Sequence, residues 1–318
     1  MSALAVLTRP LALSEIVEQA RDYAENASAP NTRLAYASDF ADFENFCTAQ
    51  GLCALPASPQ SVVAYLSERA AYHCVATLRR RLCGVSQTHR ERGLESPTAH
   101  EMVRRVLRGI AREKGTAQRR KAAVSLDDLR ALLLAIEGDA GHALRDRAIL
   151  LLGFAAALRR SEIAALTVED LSFDQRGLLV TIQRSKTDQE GAGQQIAVPF
   201  VPDASLCAVT AVRRYLDACG ITTGPVFRSL DLRRMLTEKP IGGRDVANLV
   251  QRCAARAGLD GDYGGHSLRA GFVTSAAHAK VSLDAIARTT RHKSLAVLMT
   301  YVRPASLFND VALSAIVA

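Results

Sequence analysis

The sequence predicts a mainly α-helical protein with a small antiparallel β-sheet, divided into two domains. Apolar residues recur at helical spacing through residues 14–113 and again from about residue 203 onward, which is the pattern of amphipathic helices. Between residues 171 and 200 the period changes to two, as expected for half-buried strands. A chain of 318 residues also exceeds the size that one hydrophobic core commonly serves, so two domains are expected.

The composition is that of a folded globular chain with a basic surplus. Hydrophobic residues make up 48% and charged residues 23%, which excludes a disordered chain, and the formal net charge of +8 favours a polyanionic partner. The seven cysteines form no Cys-x-x-Cys pair, which argues against a disulfide framework or a zinc site. No segment has the pattern of a signal peptide or a membrane span, so we expect a cytoplasmic protein with reduced thiols and no membrane partner.

The first domain is expected to be helical and to span residues 1–113. Five stretches in it carry apolar residues at helical spacing, and most of them begin at a residue that favours a helix start. The fifth helix is expected to open with a capping pair formed by Thr98 and Glu101. The other four helices are expected to start near Ser14, Pro30, Pro59 and Ala76.

Residues 114–124 lose the apolar period and gain charge, so we predict a linker there. Basic side chains collect in this segment and on the later helices of the first domain, where contacts with phosphates would give DNA affinity that does not depend on base sequence. A solvated helix face is the alternative for each of these residues, and it stays open. The DNA-binding candidates are Arg79, Arg80, Arg81, Arg104, Arg105, Arg119, Arg120 and Lys121.

The second domain is predicted to span residues 125–318. Its first helix begins with a capping box at Ser125 and Asp128, and a buried helix then runs to Leu158 and delivers Arg159 and Glu162 at its end. Alternating apolar residues predict an antiparallel sheet around a turn-rich segment that contains Lys186. Helices are expected to dominate from there to the end of the chain.

Polar side chains that could take part in a reaction lie close together in the sequence near the C-terminus. His266 and Arg269 are three residues apart and are predicted to share a helix face. His292 and Tyr301 are nine residues apart, which is out of phase on one straight helix, so a break must separate them. Ser294 is predicted to cap the helix that follows the break. The buried stripe of that helix is predicted to be Leu295, Leu298 and Val302.

Four segments occur in the order and at the intervals of the tyrosine recombinase, or phage integrase, family, and the sequence resembles that family over both domains. They are Leu158-Arg159-Arg160-Ser161-Glu162-Ile163, the turn at Lys186, His266-Ser267-Leu268-Arg269-Ala270-Gly271, and His292 followed by Tyr301. The resemblance implies a helical core-binding domain followed by an α+β catalytic domain. Asn31-Thr32-Arg33-Leu34-Ala35-Tyr36 looks like the opening of the family's DNA-contacting helix, which adds Arg33 to the DNA-binding candidates.

The resemblance implies a site-specific recombinase that acts on a double-stranded DNA recombination site through a covalent 3′-phosphotyrosine. Permanently charged guanidinium groups can stabilise the negative charge that builds on a phosphate during transfer, so no metal ion is needed. A phosphotyrosine conserves the energy of the ester bond for rejoining, so no ATP is needed. Glu162 is expected to orient the site through hydrogen bonds. The implied catalytic residues are Arg159, Lys186, His266, Arg269, His292 and Tyr301.

Arg291 departs from the family pattern, since many relatives have a glycine before the histidine. This arginine is expected to alter the turn or to add a phosphate contact.

Residues 311–318 form an apolar tail, and relatives pack such a tail into a neighbouring protomer to build a ring of four on two DNA sites. Packing of the tail on its own domain stays open. Two other functions also stay open: a type IB topoisomerase, and a DNA-binding protein that has lost catalysis.

Overall fold

The computed structural model describes residues 13–26, 29–117, 121–183, 193–292 and 294–306. The chain forms two compact units, and the division along it falls between residues 119 and 120. Each unit has a hydrophobic core of its own. In the described ranges, no helix combines the length and the apolar character that crossing a bilayer requires.

The first unit is helical. The side chains of Phe43, Tyr65 and Leu78 lie in its core, and the Tyr65 hydroxyl donates to Asp42 at 2.7 Å. Its helices are α1 (Leu13–Asn26), α2 (Pro30–Ala49), α3 (Pro59–Arg69), α4 (Val75–Glu91) and α5 (Glu101–Lys114). The predicted succession of five helices is therefore present in the structure.

Two details of the first unit differ from the expectations. Helix α1 forms, but Ile16 is 48% and Tyr23 is 74% exposed, so the apolar stripe of this helix does not contribute to the core. Helix α5 begins at Glu101, and its cap is His100, whose Nδ1 accepts a hydrogen bond from the Met102 amide at 3.2 Å. The predicted cap, Thr98, lies instead in a short 3₁₀ turn.

The second unit combines helices with two small sheets. In the three-stranded sheet, the strands β1 (Leu171–Phe173), β2 (Gly177–Ile182) and β3 (Gln194–Pro199) are antiparallel, as predicted, and they lie in chain order. A two-stranded sheet of β4 (Arg228–Leu230) and β5 (Leu236–Pro240) was not predicted. The helices are α6 (Leu126–Leu134), α7 (Gly141–Ala155), α8 (Arg160–Ala165), α9 (Ala208–Ala218), α10 (Gly243–Arg256), α11 (Ser267–His278), α12 (Leu283–Thr290) and α13 (Leu295–Ser306).

Helix α7 is buried along most of its length, as its apolar sequence predicts, but it ends at Ala155 and not at Leu158. Ala157 has a φ of 47°, a left-handed conformation that stops the helix. The chain then turns, and α8 begins at Arg160 with Arg159 as its cap. This turn brings the main chain of residues 157–159 to the site described below.

Helix α11 is held in place by the chain segment that leads into the second unit. The Val124 amide donates to the Ser267 carbonyl at 3.0 Å, and the Ala122 amide donates to the Asp262 carbonyl at 2.9 Å. A Cβ atom at Gly271 would fall far inside contact distance of the Val124 carbonyl. This close approach of two main chains therefore requires glycine at position 271.

Helices α11, α12 and α13 share a small apolar cluster that includes Val273, Ile286, Leu298 and Val302. The Ser294 hydroxyl accepts a hydrogen bond from the Val297 amide at 3.4 Å, which confirms the predicted cap of α13. Leu298 and Val302 are buried as predicted, whereas Leu295, the first residue of the helix, is 57% exposed.

Candidate active site

Two arginines from different parts of the chain donate to one main-chain oxygen, the carbonyl of Ala157. Arg269 Nη1, from α11, lies 2.7 Å from that oxygen, and Arg291 Nη2, from the end of α12, lies 3.3 Å from it. Arg269 Nη2 also donates to the Thr290 carbonyl. The turn after α7 therefore fixes where both guanidinium groups lie.

The buried carboxylate of Glu162 joins Arg159 to Arg291. Glu162 Oε1 accepts from Arg159 Nη1 at 2.5 Å, and Oε2 accepts from Arg291 Nη2 at 2.9 Å. Oε2 also accepts from the Arg159 amide at 2.8 Å, which closes the first turn of α8. Such charge-assisted bonds hold a guanidinium group in a defined orientation.

The site has an excess of positive charge. Burial lowers the pKa of Arg269 to about 9, and the neighbouring Arg159 and Arg291 act in the same direction. Burial also lowers the pKa of Arg291, while Glu162 acts to raise it. The Arg269 guanidinium keeps its proton at neutral pH. Three cationic groups around the Glu162 carboxylate favour the entry of an anion.

His292 is neutral in this environment. Its Nδ1 lies 2.7 Å from the Thr290 hydroxyl oxygen, and its Nε2 lies 3.5 Å from Arg269 Nη2. Burial lowers the pKa of His292 to about 4, and the charges of Arg269, Arg159 and Arg291 contribute to this shift. The imidazole therefore lies next to Arg269 without adding to the positive charge of the site.

Helix α13 brings Tyr301 to the same place. The ring centroids of Tyr301 and His292 are 6.1 Å apart, with an angle of 40° between the rings. Tyr301 is partly exposed, and it also lies close enough to Arg269 to raise the pKa of that guanidinium. A partly exposed phenol next to buried cations is accessible to a substrate.

The structure thus brings together Arg159, Glu162, Arg269, His292 and Tyr301. His266 lies just before the first residue of α11 and caps it through its carbonyl, and its side chain is exposed whereas that of Arg269 is buried. Lys186 lies outside the described residues, in the connection between β2 and β3. The described site therefore includes five of the seven residues predicted for it.

The DNA-binding candidates differ in how their charges are used. Arg80 pairs with Asp39 at 2.6 Å, and the side chain of Arg81, which is 13% exposed, contacts Asp42 and the Tyr65 hydroxyl. Lys121 pairs with Asp262 in the second unit. Arg119 and Arg120 lie outside the described residues. Arg33, Arg79, Arg104 and Arg105 are exposed, and Arg80 and Lys121 are also exposed although each takes part in an ion pair.

Three features of the site were not foreseen from the sequence. The Ala157 carbonyl and the Thr290 hydroxyl anchor functional side chains, and neither gives a motif. Arg291 takes the left-handed conformation expected where relatives have glycine, with a φ of 57°, but its side chain points inward to Glu162. In the part of the chain that the structure describes, no cluster of three or more His, Cys, Asp or Glu side chains is arranged to hold a metal ion.

Comparison with known proteins places the fold and the sequence in one family. An integrase/recombinase XerD homologue of Selenomonas ruminantium is 38% identical over 294 residues, which cover 91% of this chain and 86% of the relative. The recombinase Cre of Escherichia phage P1 is 27% identical over 270 residues, which cover 78% of this chain and 76% of Cre.

Solved structures show the same fold. The XerH site-specific recombinase bound to a palindromic difH substrate superposes with a TM-score of 0.60 and 15% identity, over 89% of this chain and 78% of XerH. The model of the phage integrase family matches residues 122–307. Together with the 38% identity above, this match identifies the chain as a member of the phage integrase family and as a tyrosine recombinase.

Proposed function

We propose that this protein is a site-specific DNA recombinase that cleaves and rejoins strands through a covalent 3′-phosphotyrosine formed on Tyr301. The observation that carries the proposal is the convergence of Arg159, Arg269, His292 and Tyr301 through shared hydrogen bonds and electrostatic contacts. Their side chains come from three separate stretches of the sequence. A phosphodiester is the anion whose reaction would use both the cations and the phenol.

Arg159 and Arg269 are proposed to bind the non-bridging oxygens of the scissile phosphate. Each guanidinium has five N–H donors, so both retain donors beyond those engaged by protein oxygens. Because Glu162 and the Ala157 carbonyl already hold these groups, little reorganisation is needed when charge builds on the phosphate. Fixed guanidinium charges take the role that a metal ion plays in other phosphoryl transferases.

In the proposed cleavage step, the Tyr301 oxygen forms a bond to phosphorus while the bond from phosphorus to the 5′ oxygen breaks. His266 is assigned to accept the phenol proton, and Lys186 is assigned to donate a proton to the leaving 5′ oxygen. Attack by a 5′ hydroxyl on the phosphotyrosine reverses these bond changes and rejoins the DNA. The ester energy is kept in the intermediate, so no nucleotide is consumed.

His292 is proposed to donate to a non-bridging oxygen through Nε2. In the structure Nε2 faces an Arg269 donor, and the ring proton is assigned to Nδ1 because the neighbouring Thr290 hydroxyl donates its own hydrogen to the Ile286 carbonyl. Donation from Nε2 therefore requires a second proton on the ring. A bound phosphate favours that proton because a nearby negative charge raises the pKa of an imidazole.

The proposed partner is double-stranded DNA that carries a recombination site, bound by a tetramer across two such sites. The net charge of +8 and the exposed arginines of the first unit support DNA binding. The XerH relative was solved with its own DNA substrate. The apolar tail at residues 311–318, which lies outside the described residues, supports assembly in which one protomer covers the tail of the next.

The test uses a duplex that the full-length wild type selects from a random-sequence library, and it follows the protein–DNA adduct that survives detergent. Tyr301→Phe should abolish the adduct and leave DNA affinity within a few-fold, because only the attacking oxygen is lost. Tyr72→Phe, at an exposed tyrosine of the first unit, is the matched control and should form the adduct at the wild-type yield.

An adduct of undiminished yield in Tyr301→Phe would refute the assignment. A second assay compares recombination between two selected sites with relaxation of a supercoiled plasmid that carries one site. Exchange between two sites supports the recombinase, whereas relaxation without exchange supports the topoisomerase. Wild-type protein that binds the duplex without forming an adduct supports the third alternative, a DNA-binding protein without catalysis.

A further inference from the structure

Arg291 occupies a position that is unfavourable for a large side chain. It ends α12 with φ 57° and ψ 41°, a left-handed conformation that glycine adopts freely and other residues adopt with strain. Its side chain is 4% exposed, and its Nε and Nη1 atoms have no hydrogen-bond partner in the described ranges. A buried cation with unsatisfied donors costs stability, so the fold alone does not explain this arginine.

The contacts that Arg291 does make lead to the proposed phosphate-binding groups. Arg291 Nη2 donates to Glu162 Oε2 at 2.9 Å, on the same carboxylate whose other oxygen holds Arg159 Nη1 at 2.5 Å. The same Nη2 atom lies 3.3 Å from the Ala157 carbonyl, which also anchors Arg269. Arg291 therefore donates to the Glu162 carboxylate, which holds Arg159, and to the Ala157 carbonyl, which holds Arg269.

We propose that Arg291 is a positioning residue for DNA cleavage, which acts through Glu162 to fix the guanidinium of Arg159. The inference rests on the proposed function, because that function assigns Arg159 to the scissile phosphate. Glu162 can rotate about its side-chain bonds unless both of its oxygens are held. Arg291 and the Arg159 amide hold Oε2, and this leaves Oε1 aimed at the Arg159 guanidinium.

Burial separates this role from direct substrate binding. The unpaired Nε and Nη1 atoms of Arg291 are inaccessible to solvent, so a phosphate cannot reach them without rearrangement of the site. In place of the expected phosphate contact, we infer that Arg291 acts indirectly, by orienting Arg159 through Glu162. An arginine that orients another donor should affect the rate of cleavage more than DNA affinity, because orientation matters most in the transition state.

The test compares Arg291→Gly and Arg291→Asn with the wild type, all as full-length proteins. Glycine and asparagine both suit the left-handed backbone, and neither reaches Glu162. The substrate is the library-selected duplex with a nick beside the cleavage point, so that the short leaving strand diffuses away and the adduct accumulates. We expect an unchanged or higher melting temperature, DNA affinity within a few-fold, and single-turnover cleavage slower by roughly tenfold to a hundredfold.

Lys280→Gly is the matched control. Lys280 is an exposed cation that follows the end of α11 with a φ of 55°. Its replacement removes the same unit of charge and the same kind of backbone strain, but at a position outside the site. This variant should therefore also have an unchanged or higher melting temperature, and it should cleave at the wild-type rate.

A double-mutant cycle tests whether Arg291 acts through Glu162. If it does, Glu162→Gln combined with Arg291→Gly should cleave no more slowly than Glu162→Gln alone. Losses that multiply, or a wild-type cleavage rate in Arg291→Gly, would overturn the inference. Failure of both Arg291 variants to fold would show a purely structural role and would overturn it as well.

The outcomes also separate this inference from the function on which it rests. If the wild type forms no adduct with the selected duplex, the proposed function fails and the inference fails with it. If the wild type forms the adduct and Arg291→Gly forms it at the same rate, the proposed function stands and the role of Arg291 is refuted.

Discussion

The Nδ1 atom of His292 lies 2.7 Å from the hydroxyl oxygen of Thr290, and this contact determines which ring nitrogen carries the proton. The Thr290 hydroxyl donates its own hydrogen to the Ile286 carbonyl at 2.7 Å. Its oxygen must therefore accept from Nδ1–H, which leaves Nε2 with a lone pair that faces Arg269. A threonine two residues before the histidine thus sets the tautomer at the proposed site.

The lowered pKa of His292 predicts a loss of stability in acid. The folded protein holds this ring neutral, with a pKa of about 4, whereas the unfolded chain has the ordinary value of 6.5. The unfolded state binds the proton first, so the stability from this group is present above pH 6.5 and is lost as the pH falls toward 4. Each pKa unit of difference corresponds to about 1.4 kcal/mol.

Urea unfolding of the wild type and of His292→Asn over that pH range is the measurement. The free energy of unfolding of the wild type minus that of the variant should decrease as the pH falls, because only the wild type carries the titrating ring. A difference that stays constant from neutrality down to pH 4 would contradict the shift.

Thr290→Val should slow the proposed cleavage. Valine keeps the shape of threonine but removes the oxygen that accepts from His292 Nδ1, so the ring loses its fixed tautomer and orientation. We expect cleavage slower by about tenfold, in the range of general acid–base effects, with Thr290→Ser close to the wild-type rate. Nitrogen NMR of the imidazole checks the cause, since only the valine variant should show a mixed tautomer.

Gly271→Ala should destabilise the second unit. A Cβ atom at this position collides with the Val124 carbonyl, which is backbone and is held by the hydrogen bond from the Val124 amide to Ser267. Overpacking of this kind costs about 1–3 kcal/mol. Gly109→Ala in α5 is the matched control, because no atom of the described residues outside its own helix turn lies within 4 Å of the added Cβ, and it should stabilise by up to about 1 kcal/mol. Thermal unfolding of the two variants should give shifts of opposite sign.

Arg79→Ala and Arg81→Ala should have different consequences although the two arginines lie on the same helix. Arg79 is exposed, so its loss should weaken DNA binding and reduce the salt dependence by about one counterion. Arg81 is bonded to Asp42 and Tyr65, so its loss should cost about 1–3 kcal/mol of stability. Salt-dependent binding and urea unfolding, measured on both variants, distinguish the two roles. Equal effects in both assays would contradict this division.

The parts of the fold that the sequence predicted are those governed by local patterns. Alternating apolar residues located β2 and β3, and the hydroxyl of Ser294 located the start of α13. The mainly helical class with a small antiparallel sheet is confirmed, and so is membership of the family. Each of these predictions depends on residues close together in the chain or on side chains at characteristic intervals.

The parts that the sequence did not predict depend on distant contacts. Strands β4 and β5 are short and their residues are partly buried or exposed, so no alternation of buried and exposed residues marks them. Leu295 has the spacing of the buried stripe of α13, but it is the first residue of the helix and is exposed. The inward direction of Arg291 depends on where α12 ends relative to α8, and spacing along the chain gives no information on that.

Arg269 and Arg291 both donate to a main-chain oxygen, the carbonyl of Ala157. The residue at position 157 therefore matters through its backbone conformation and its packing, and not through a functional group of its side chain. Every residue type offers the same carbonyl, but the residue at this position must tolerate a positive φ and its side chain must fit a fully buried space. A substitution such as Ala157→Val would therefore disturb the chemistry while removing no chemical group, through the changed path of the polypeptide and the crowding of a buried side chain.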